Sequence, residues 1–356
     1  MRVALNAHFF HHPGTGSGQY LQHLLRYFEQ DALTIDSVPL FQPSIADLRK
    51  VWWEQIGFPR AARRTGAAVH HVPYFAPPLV PTGPTVVTIH DLIPLILPEY
   101  VTSPLVRLYN ALVSRAARHA RLILVDSVAS KSDVVRLLGI PDQRVRVVYL
   151  APDESVLRPV STEETAAVRR KYGLSESFVL YLGGLDKRKN VPALMRALAA
   201  LPPEIPWQLA ISGRVRTDDA PLFPNLPAIA AQLGIQDKVV FLGFAPDEDK
   251  PALMHAATCF AFPSLYEGFG MDHLEAMACG TPVICSNRSS LPELTGDGGI
   301  TIDPDDLPAF TDALRRVLTD ADLRADLSQR GLAQSATFTW ARTAQETFNA
   351  YQEASR

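Results

Sequence analysis

The chain has 356 residues, of which 47% are hydrophobic and 20% charged, an ordinary balance for a globular protein. Its length favours two domains over one, and its formal net charge of −3 gives no case for nucleic-acid binding. The charge is uneven, because residues 1–155 hold 15 Lys and Arg against 12 Asp and Glu, whereas the remainder holds 19 against 25.

Short apolar runs alternate with helical patterns along the whole length, which is typical of parallel sheets wound with helices. Two similar sets of six strands predict two doubly wound α/β domains, at 1–155 and 156–338, with the turn-rich residues 151–159 between them and a helix over 339–356. The predicted strands are 3–6, 33–40, 68–72, 86–89, 122–125 and 145–149, then 178–182, 208–212, 239–242, 258–262, 282–285 and 299–302.

A glycine-rich loop with Gly14, Gly16 and Gly18 follows the first strand and opens a helical pattern, an arrangement suited to anionic groups. The loop invites comparison with the dinucleotide fingerprint G-x-G-x-x-G, and Asp36 falls near the expected acidic position. Gln19, however, occupies the place of the last glycine, so a NAD enzyme is disfavoured. An ordinary surface turn is the alternative.

Residues that directly follow strands carry most weight, because ligands of such sheets bind beyond the carboxyl ends of the strands. The fourth strand delivers His90 and Asp91, and prolines follow, so no helix hides them immediately. A hydrogen bond from His90 to backbone is the alternative. Asp126 and Ser127 follow the fifth strand as cleft-lining candidates, and Ser130 begins a sequence with capping-box spacing.

Gly183 and Gly184 follow the strand at 178–182, and a cationic run with Arg188 and Lys189 comes next. A diphosphate leaving group needs this arrangement, since Arg offers a bidentate fork and Lys a compact charge. A solvated basic turn is the alternative.

The most informative stretch, residues 263–282, reads PSLYEGFGMDHLEAMACGTP. A loop with Glu267 and Gly270 leads into a helical pattern that begins near Met271 and carries Glu275. Glycines let backbone N–H groups approach a ligand, and a helix start adds further free N–H groups, which suits a phosphate or diphosphate. The two glutamates are eight residues apart and good bidentate acceptors for sugar or ribose hydroxyls.

The run EGFGMDHLEAMACGTPVI closely resembles the E-x7-E signature of the GT4-type retaining glycosyltransferases, whose GT-B fold has two Rossmann-like domains facing across a cleft. The match extends through residues 286–287 and 291–293 to 303–304, and the resemblance covers residues 14 to about 340. It implies a hexosyltransferase that moves a sugar, with retention, from a nucleoside-diphosphate sugar to an acceptor hydroxyl. In this fold the helix over 339–356 crosses back onto the first domain.

The resemblance implies that Glu267 holds the sugar hydroxyls and Glu275 the ribose hydroxyls, while Arg188 and Lys189 stabilise the departing diphosphate. Many relatives have arginine in the place of Gly184, and Arg188 substitutes for it here, as in the R-K-N variant of the motif. The other residues implied on the donor side are Gly16, Gly18, Gly183, Gly184, Gly243, Phe244, Gly268, Phe269, Gly270 and Met271.

His90 is implied near the reacting carbon of the donor sugar, with Asp91 and Ser127 as candidates on the acceptor side, held by the first domain. The family mechanism is front-face attack, so neither glutamate is expected to act as the nucleophile that retaining glycosidases use. The cations replace a metal ion and no D-x-D motif is visible, so we expect no metal and no other cofactor.

Asp272 and His273 stand where relatives often have proline or small residues, so the identity of the donor sugar is not fixed. The R-K-N variant favours GDP-mannose, with UDP-glucose close behind, and a glycan or lipid-linked acceptor in surface polysaccharide or glycolipid synthesis. The alternatives are another GT-B activity, such as an epimerase or phosphorylase, and a non-catalytic sugar-nucleotide-binding subunit.

Three cysteines lie in apolar runs without a C-x-x-C pair, so we expect buried thiols in a reducing compartment. No signal peptide and no run of about eighteen apolar residues is visible, which predicts a cytoplasmic protein. Basic clusters around Arg63 and Arg118 favour solvated helix faces, and the alternative is peripheral contact with an acidic acceptor or an anionic membrane surface.

Overall fold

A computed structural model describes residues 1–11, 15–28, 34–37, 46–101, 103–218 and 220–356. The chain divides into two compact units. The first unit comprises Met1–Leu150 together with Thr339–Arg356, and the second comprises Ala151–Phe338. The division follows Leu150, at the start of the turn-rich segment 151–159, and lies five residues before the predicted boundary after residue 155.

The first unit contains a six-stranded parallel sheet. Its strand order is β2-β1-β3-β4-β5-β6, so the chain starts inside the sheet and winds to both sides of the first strand. Of the second predicted strand, residues 33 and 38–40 lie outside the described residues. The strands are β1 (Arg2–Leu5), β2 (Thr34–Ser37), β3 (Val69–Val72), β4 (Thr85–Ile89), β5 (Leu122–Val125) and β6 (Val145–Val147).

The second unit contains another six-stranded parallel sheet, in the order β12-β11-β10-β7-β8-β9. The central strands are buried on both faces, which explains why they read as continuous apolar runs rather than as alternating patterns. The two doubly wound sheets predicted from sequence are thus confirmed. The strands are β7 (Phe178–Leu182), β8 (Gln208–Ser212), β9 (Val239–Gly243), β10 (Cys259–Phe262), β11 (Val283–Ser286) and β12 (Ile300–Ile302).

Helices connect the strands in both units. The helices of the first unit are α1 (Gly16–Arg26), α2 (Ala46–Trp52), α3 (Phe58–Thr65), α4 (Ile93–Ile96), α5 (Pro104–Ala117), α6 (Val128–Leu138) and, from the end of the chain, α15 (Trp340–Ala354). Those of the second unit are α7 (Thr162–Tyr172), α8 (Val191–Ala199), α9 (Leu226–Gln232), α10 (Lys250–Ala256), α11 (Met271–Ala278), α12 (Leu291–Thr295), α13 (Leu307–Thr319) and α14 (Ala321–Ser335).

The capping assignment at Ser130 is wrong, because α6 begins earlier than expected. Ser127 is the N-cap residue, and its hydroxyl oxygen accepts a hydrogen bond of 3.0 Å from the backbone N–H of Ser130. Both serines are plausible caps in sequence, and only the position where β5 ends decides between them.

The terminal helix α15 is held in the first unit by buried polar contacts as well as apolar packing. The Tyr351 hydroxyl lies 2.6 Å from His71 Nδ1, and His71 Nε2 lies 2.9 Å from the Thr88 hydroxyl. Trp340 stacks on His23 with ring centroids 4.5 Å apart. Because Tyr351 and His71 are fully buried, each needs the other to satisfy its polar atom, which fixes how the helix lies on the sheet.

Candidate active site

The start of α11 forms the glycine-lined part of the site in the second unit. Gly270, the N-cap residue, has φ of 109°, a conformation that favours glycine. A Cβ atom there would lie 2.7 Å from Leu291 Cδ2 and 2.8 Å from His273 Nδ1, so no side chain fits. Since glycine offers no capping side chain, the N–H groups of the first turn, beginning at Met271, are left for another acceptor.

Two serines hold the loop that precedes α11. The Ser290 hydroxyl donates to the carbonyl oxygens of Phe269, at 2.6 Å, and of Glu267, at 3.0 Å. The backbone N–H of Glu267 donates to the Ser289 hydroxyl oxygen at 3.1 Å, and Ser289 itself has a positive φ of 59°. These positioning contacts were missed in the sequence, where the match around residues 286–287 and 291–293 was the only signal for this segment.

Glu267 forms ion pairs with both predicted cations. Its Oε2 atom lies 2.7 Å from Arg188 Nη1, and its Oε1 atom lies 2.7 Å from Lys189 Nζ. Burial opposes ionisation of Glu267, but Lys189 and Arg188 outweigh it and hold the pKa of this carboxyl below its usual range. The sequence predicted separate ligands for Glu267 and for the cations, and the structure brings all three into one cluster.

The basic turn is also attached to the loop through backbone groups. Arg188 Nη1 donates to the carbonyl oxygen of Tyr266 at 2.8 Å, and the N–H of Leu265 donates to the carbonyl oxygen of Arg188 at 2.8 Å. Lys189 Nζ lies 4.6 Å from the centroid of the Phe262 ring. Arg188 and Lys189 are therefore held by packing and polar contacts and are not simply solvated, while their role toward a diphosphate stays a prediction.

Glu275 lies one helical turn further along α11, and it too is buried. Its Oε1 atom accepts a hydrogen bond of 3.3 Å from the backbone N–H of Asp153. Burial and the neighbouring Asp272 carboxylate raise the pKa of Glu275 to about 8. A carboxyl group with one weak backbone donor suits hydroxyl groups of a ligand.

Asp272, the departure from the family pattern, faces the first glycine turn of this unit. A Cβ atom on Gly183, whose φ is 136°, would lie 3.2 Å from Asp272 Oδ2 and 3.3 Å from the Tyr181 hydroxyl. Burial raises the pKa of Asp272, and Lys189 opposes that rise. The structure thus places Asp272 between the glycine turn and the ion-pair cluster.

The other donor-side candidates are placed as follows. Gly184 accepts a hydrogen bond of 2.6 Å from the Tyr181 hydroxyl through its carbonyl oxygen. Phe269 is buried, and its ring makes an edge contact with the Phe338 ring, with ring centroids 6.3 Å apart. Gly268, which precedes it, is also buried. Gly243, with φ of 70°, ends β9, and the Phe244 ring after it is 79% exposed. No described contact joins Gly243 or Phe244 to the Glu267 cluster.

In the first unit, His90 has a partner that sequence reasoning did not pair with it. His90 Nδ1 lies 2.7 Å from Asp126 Oδ2. Burial lowers the pKa of His90, but Asp126 outweighs burial and raises it above its ordinary value. The pairing follows from strand register, because Ile89 and Val125 are neighbours in the parallel pair β4–β5.

The remaining first-unit candidates have structural partners. Asp91 Oδ1 accepts from the N–H of Ile93 at 3.0 Å, and Ser127 caps α6. Gly16 begins α1, and the N–H of Gly18 donates to the Thr15 hydroxyl oxygen at 3.1 Å. Gly14 lies outside the described residues. The donor and acceptor roles of these four residues stay predictions.

Within the residues that the structure describes, no group of three or more His, Cys, Asp or Glu side chains is arranged to hold a metal ion. Among the helices that the structure describes, none has the length and apolar character needed to cross a membrane. All three cysteines, Cys259, Cys279 and Cys285, are free and buried, as predicted.

Comparison with known families finds two matching models. Residues 164–334 match the family described as glycosyl transferases group 1. Residues 13–155 match glycosyltransferase family 4. Each match covers the greater part of one predicted domain.

Several relatives are similar over much of the chain. O-antigen chain mannosyltransferase B of Escherichia coli is 34% identical over 331 residues, which are 92% of this chain and 82% of that protein. The serotype-specific mannosyltransferase WbdA of Escherichia coli is 32% identical over 265 residues, which are 73% of this chain. The matched part is 32% of the length of WbdA, so this chain corresponds to about a third of that protein. A D-inositol 3-phosphate glycosyltransferase of Corynebacterium jeikeium is 30% identical over 66% of this chain and 58% of that protein.

Solved structures share the fold. HepE of Anabaena, crystallised with UDP and glucose, has a TM-score of 0.76 at 20% identity and covers 99% of this chain and 100% of its own. Sucrose-phosphate synthase of Thermosynechococcus elongatus has a TM-score of 0.75 at 21% identity, over 99% of this chain and 98% of that chain. These neighbours are GT-B glycosyltransferases, so the likeness shows the fold that the motif implied.

Proposed function

Because this chain belongs to the GT4-type glycosyltransferases, the glycosyl transferases of group 1, we propose that it moves a hexose from a nucleoside-diphosphate sugar to an acceptor hydroxyl with retention of configuration. The observation that carries the proposal is the Glu267–Arg188–Lys189 cluster beside the open N-terminus of α11. One place thus offers two fixed cations for a leaving diphosphate and one ionised carboxylate for sugar hydroxyls.

In the proposed reaction, Arg188 and Lys189 stabilise the negative charge that builds on the diphosphate as the glycosidic C–O bond breaks. The first-turn N–H groups from Gly270 and Met271 bind the diphosphate or sugar oxygens, and Glu267 orients the sugar. Glu275 holds the ribose hydroxyls. The departing phosphate accepts the acceptor proton on the face where the new bond forms, so Glu267 is not a nucleophile. The role of His90 toward the sugar stays a prediction.

The proposed donor is GDP-mannose. Mannosyltransferases of O-antigen synthesis are among the similar proteins, and the R-K-N variant of the basic turn had favoured the same donor. UDP-glucose is the second candidate, since a structural neighbour was crystallised with UDP-glucose. We propose a metal-independent reaction in which Arg188 and Lys189 supply the positive charge.

A donor screen tests this proposal. The protein is incubated with GDP-mannose or UDP-glucose as donor and with a mannoside or a glucoside as acceptor, in the presence of EDTA. Products are detected by mass spectrometry. We expect a product one hexose heavier than the acceptor, together with the free nucleoside diphosphate. Sugar-nucleotide isomers formed without an acceptor would favour an epimerase, and dependence on inorganic phosphate a phosphorylase. Binding of a sugar nucleotide with no turnover would favour the non-catalytic subunit.

We also propose that the first unit contacts an anionic membrane surface through α5. Leu105 and Leu108 are 77% and 68% exposed, and Arg115 lies on the same face of the helix, exposed to solvent. Apolar side chains beside basic ones suit the boundary between headgroups and acyl chains. A cytoplasmic enzyme with this surface would act at the inner face of the membrane.

Replacing Leu105 and Leu108 with glutamate is expected to lower cosedimentation with phosphatidylglycerol vesicles at least fivefold, because apolar burial is lost and two negative charges are added. Val80→Glu is the matched control, since Val80 is 76% exposed elsewhere in the first unit. Equal sedimentation of all three proteins would rule out this surface.

A further inference from the structure

A polar cluster in the first unit has no role in the reaction described above. Glu54 lies in a single π-helical turn, Trp53–Gly57, between α2 and α3. Such turns are rare in proteins, and those that are found often lie at functional sites. The neighbours of Glu54 are the ammonium group of Lys50 and the phenol group of Tyr109. Glu54, Lys50 and Tyr109 form the Glu54 cluster.

The Glu54 carboxyl is fully buried, yet one of its two oxygens has no short contact with the residues that the structure describes. Oε2 accepts a hydrogen bond of 2.9 Å from the Tyr109 hydroxyl. Oε1 lies 3.8 Å from Lys50 Nζ and has no hydrogen-bond partner among the residues that the structure describes. Burial raises the pKa of Glu54 to about 7, and Lys50 opposes that rise. An unsatisfied oxygen on a fully buried carboxyl is uncommon and calls for an explanation.

Aromatic rings frame the cluster. Lys50 Nζ lies 5.3 Å from the centroid of the Tyr109 ring and 5.8 Å from that of Phe9. Phe9 in turn makes an edge contact with Tyr74 at 4.8 Å. The Lys50 side chain is 38% exposed and Tyr109 is half-buried, whereas Glu54 is fully buried. A ligand in solvent can therefore reach Lys50 and Tyr109, and Glu54 lies behind them.

The cluster lies on the ligand-binding edge of the first sheet. Asn6 follows β1 directly, and its amide nitrogen donates to the Tyr74 hydroxyl at 3.0 Å, just after β3. Trp53, in the π-helical turn, donates through Nε1 to Asn6 Oδ1 at 3.0 Å. These contacts tie the turn to the carboxyl ends of two adjacent parallel strands, where ligands of doubly wound sheets bind.

We propose that Lys50 and Tyr109 bind a neutral hexose residue of the acceptor, with Glu54 as the residue that positions both. Lys50 donates to sugar hydroxyls, the Tyr109 oxygen accepts from one, and the parts of the Phe9 and Tyr109 rings that Lys50 does not cover offer apolar surface to the C–H groups of the pyranose. The inference rests on the proposed function, which supplies the need for an acceptor sugar.

Kinetics and direct binding test the Glu54 cluster together. The probe is methyl α-D-mannopyranoside, used as the acceptor with GDP-mannose and, without donor, in saturation-transfer NMR. We expect Lys50→Met, Tyr109→Phe and Glu54→Gln each to raise the acceptor KM about tenfold with kcat and GDP affinity unchanged, and to weaken the saturation-transfer signal. Lys50→Arg should restore part of the affinity.

Tyr172→Phe is the matched control, because the Tyr172 hydroxyl donates to Asp249 at 2.6 Å in the second unit and its loss should leave the acceptor KM unchanged. Thermal midpoints exclude variants that fail to fold, and Tyr109→Phe preserves the shape of the site if Glu54→Gln does not fold. Absence of mannoside binding to the wild-type protein, or equal binding by the variants, would overturn the inference. Failure of transfer from every nucleotide sugar would instead count against the proposed function, and the donor-free NMR experiment would still decide about the cluster.

Discussion

Replacing Lys189 with methionine should lower kcat for hexose transfer by about a hundred- to a thousandfold. Lys189 is buried and its Nζ atom lies 2.7 Å from Glu267 Oε1. Together with Arg188 it is one of the two cations that contact this carboxylate among the residues that the structure describes. Removal of one preorganised charge that stabilises a developing anion typically costs a factor of that size. Methionine preserves the length of the side chain over the Phe262 ring, so the loss reports on charge rather than on packing.

Lys187→Met is the matched control for this experiment. Lys187 belongs to the same short turn, Lys187–Lys189, but its side chain is exposed. We expect it to keep kcat within about twofold, since exposed charges contribute little. Steady-state kinetics and thermal midpoints are measured on both variants. A Lys189→Met protein that is folded and as fast as the wild type would remove Lys189 from the reaction.

Replacing Glu275 with alanine should weaken binding of the preferred nucleoside diphosphate by about ten- to a hundredfold. The loss of a carboxyl group that accepts two ribose hydroxyls costs about 1.5–3 kcal/mol. Glu275 is buried one turn after the open start of α11, and the proposed placement of the diphosphate at Gly270 puts the ribose at this side chain. Isothermal titration with GDP, UDP, ADP and dTDP measures the effect and identifies the base.

Glu163→Ala serves as the control for Glu275→Ala. Glu163 is an exposed residue in the first turn of α7, in the same unit, and its removal should leave the dissociation constant unchanged. If Glu275→Ala bound all four diphosphates as tightly as the wild-type protein, the assignment of the ribose to this glutamate would be wrong.

The fold was largely predictable because burial on both faces imposes continuous apolar runs on parallel strands. The predicted strand at 178–182 coincides with β7, and that at 258–262 differs from β10 by one residue. The start of α11 was predictable for a local reason, since Gly270 adopts a backbone conformation that favours glycine and helix periodicity begins directly after it.

The side-chain partnerships were less accessible to sequence reasoning, because they depend on which strand ends are adjacent in space. Arg188 and Tyr266 are 78 positions apart, and they meet only because β7 and β10 are neighbours in the second sheet. The His90–Asp126 pair follows from the same logic once the register of β4 and β5 is known. Glu54 carried no motif, and the π-helical turn that buries it has no simple sequence signal.

The anomeric configuration of the product tests the central claim most directly. The product formed from GDP-mannose, whose sugar is α-linked, is isolated and its anomeric carbon–hydrogen coupling is measured by NMR. An α-mannoside, formed in the presence of EDTA, is the predicted result, because the leaving diphosphate and the incoming hydroxyl share one face of the sugar. A β-mannoside would contradict a retaining reaction at the Glu267–Arg188–Lys189 cluster.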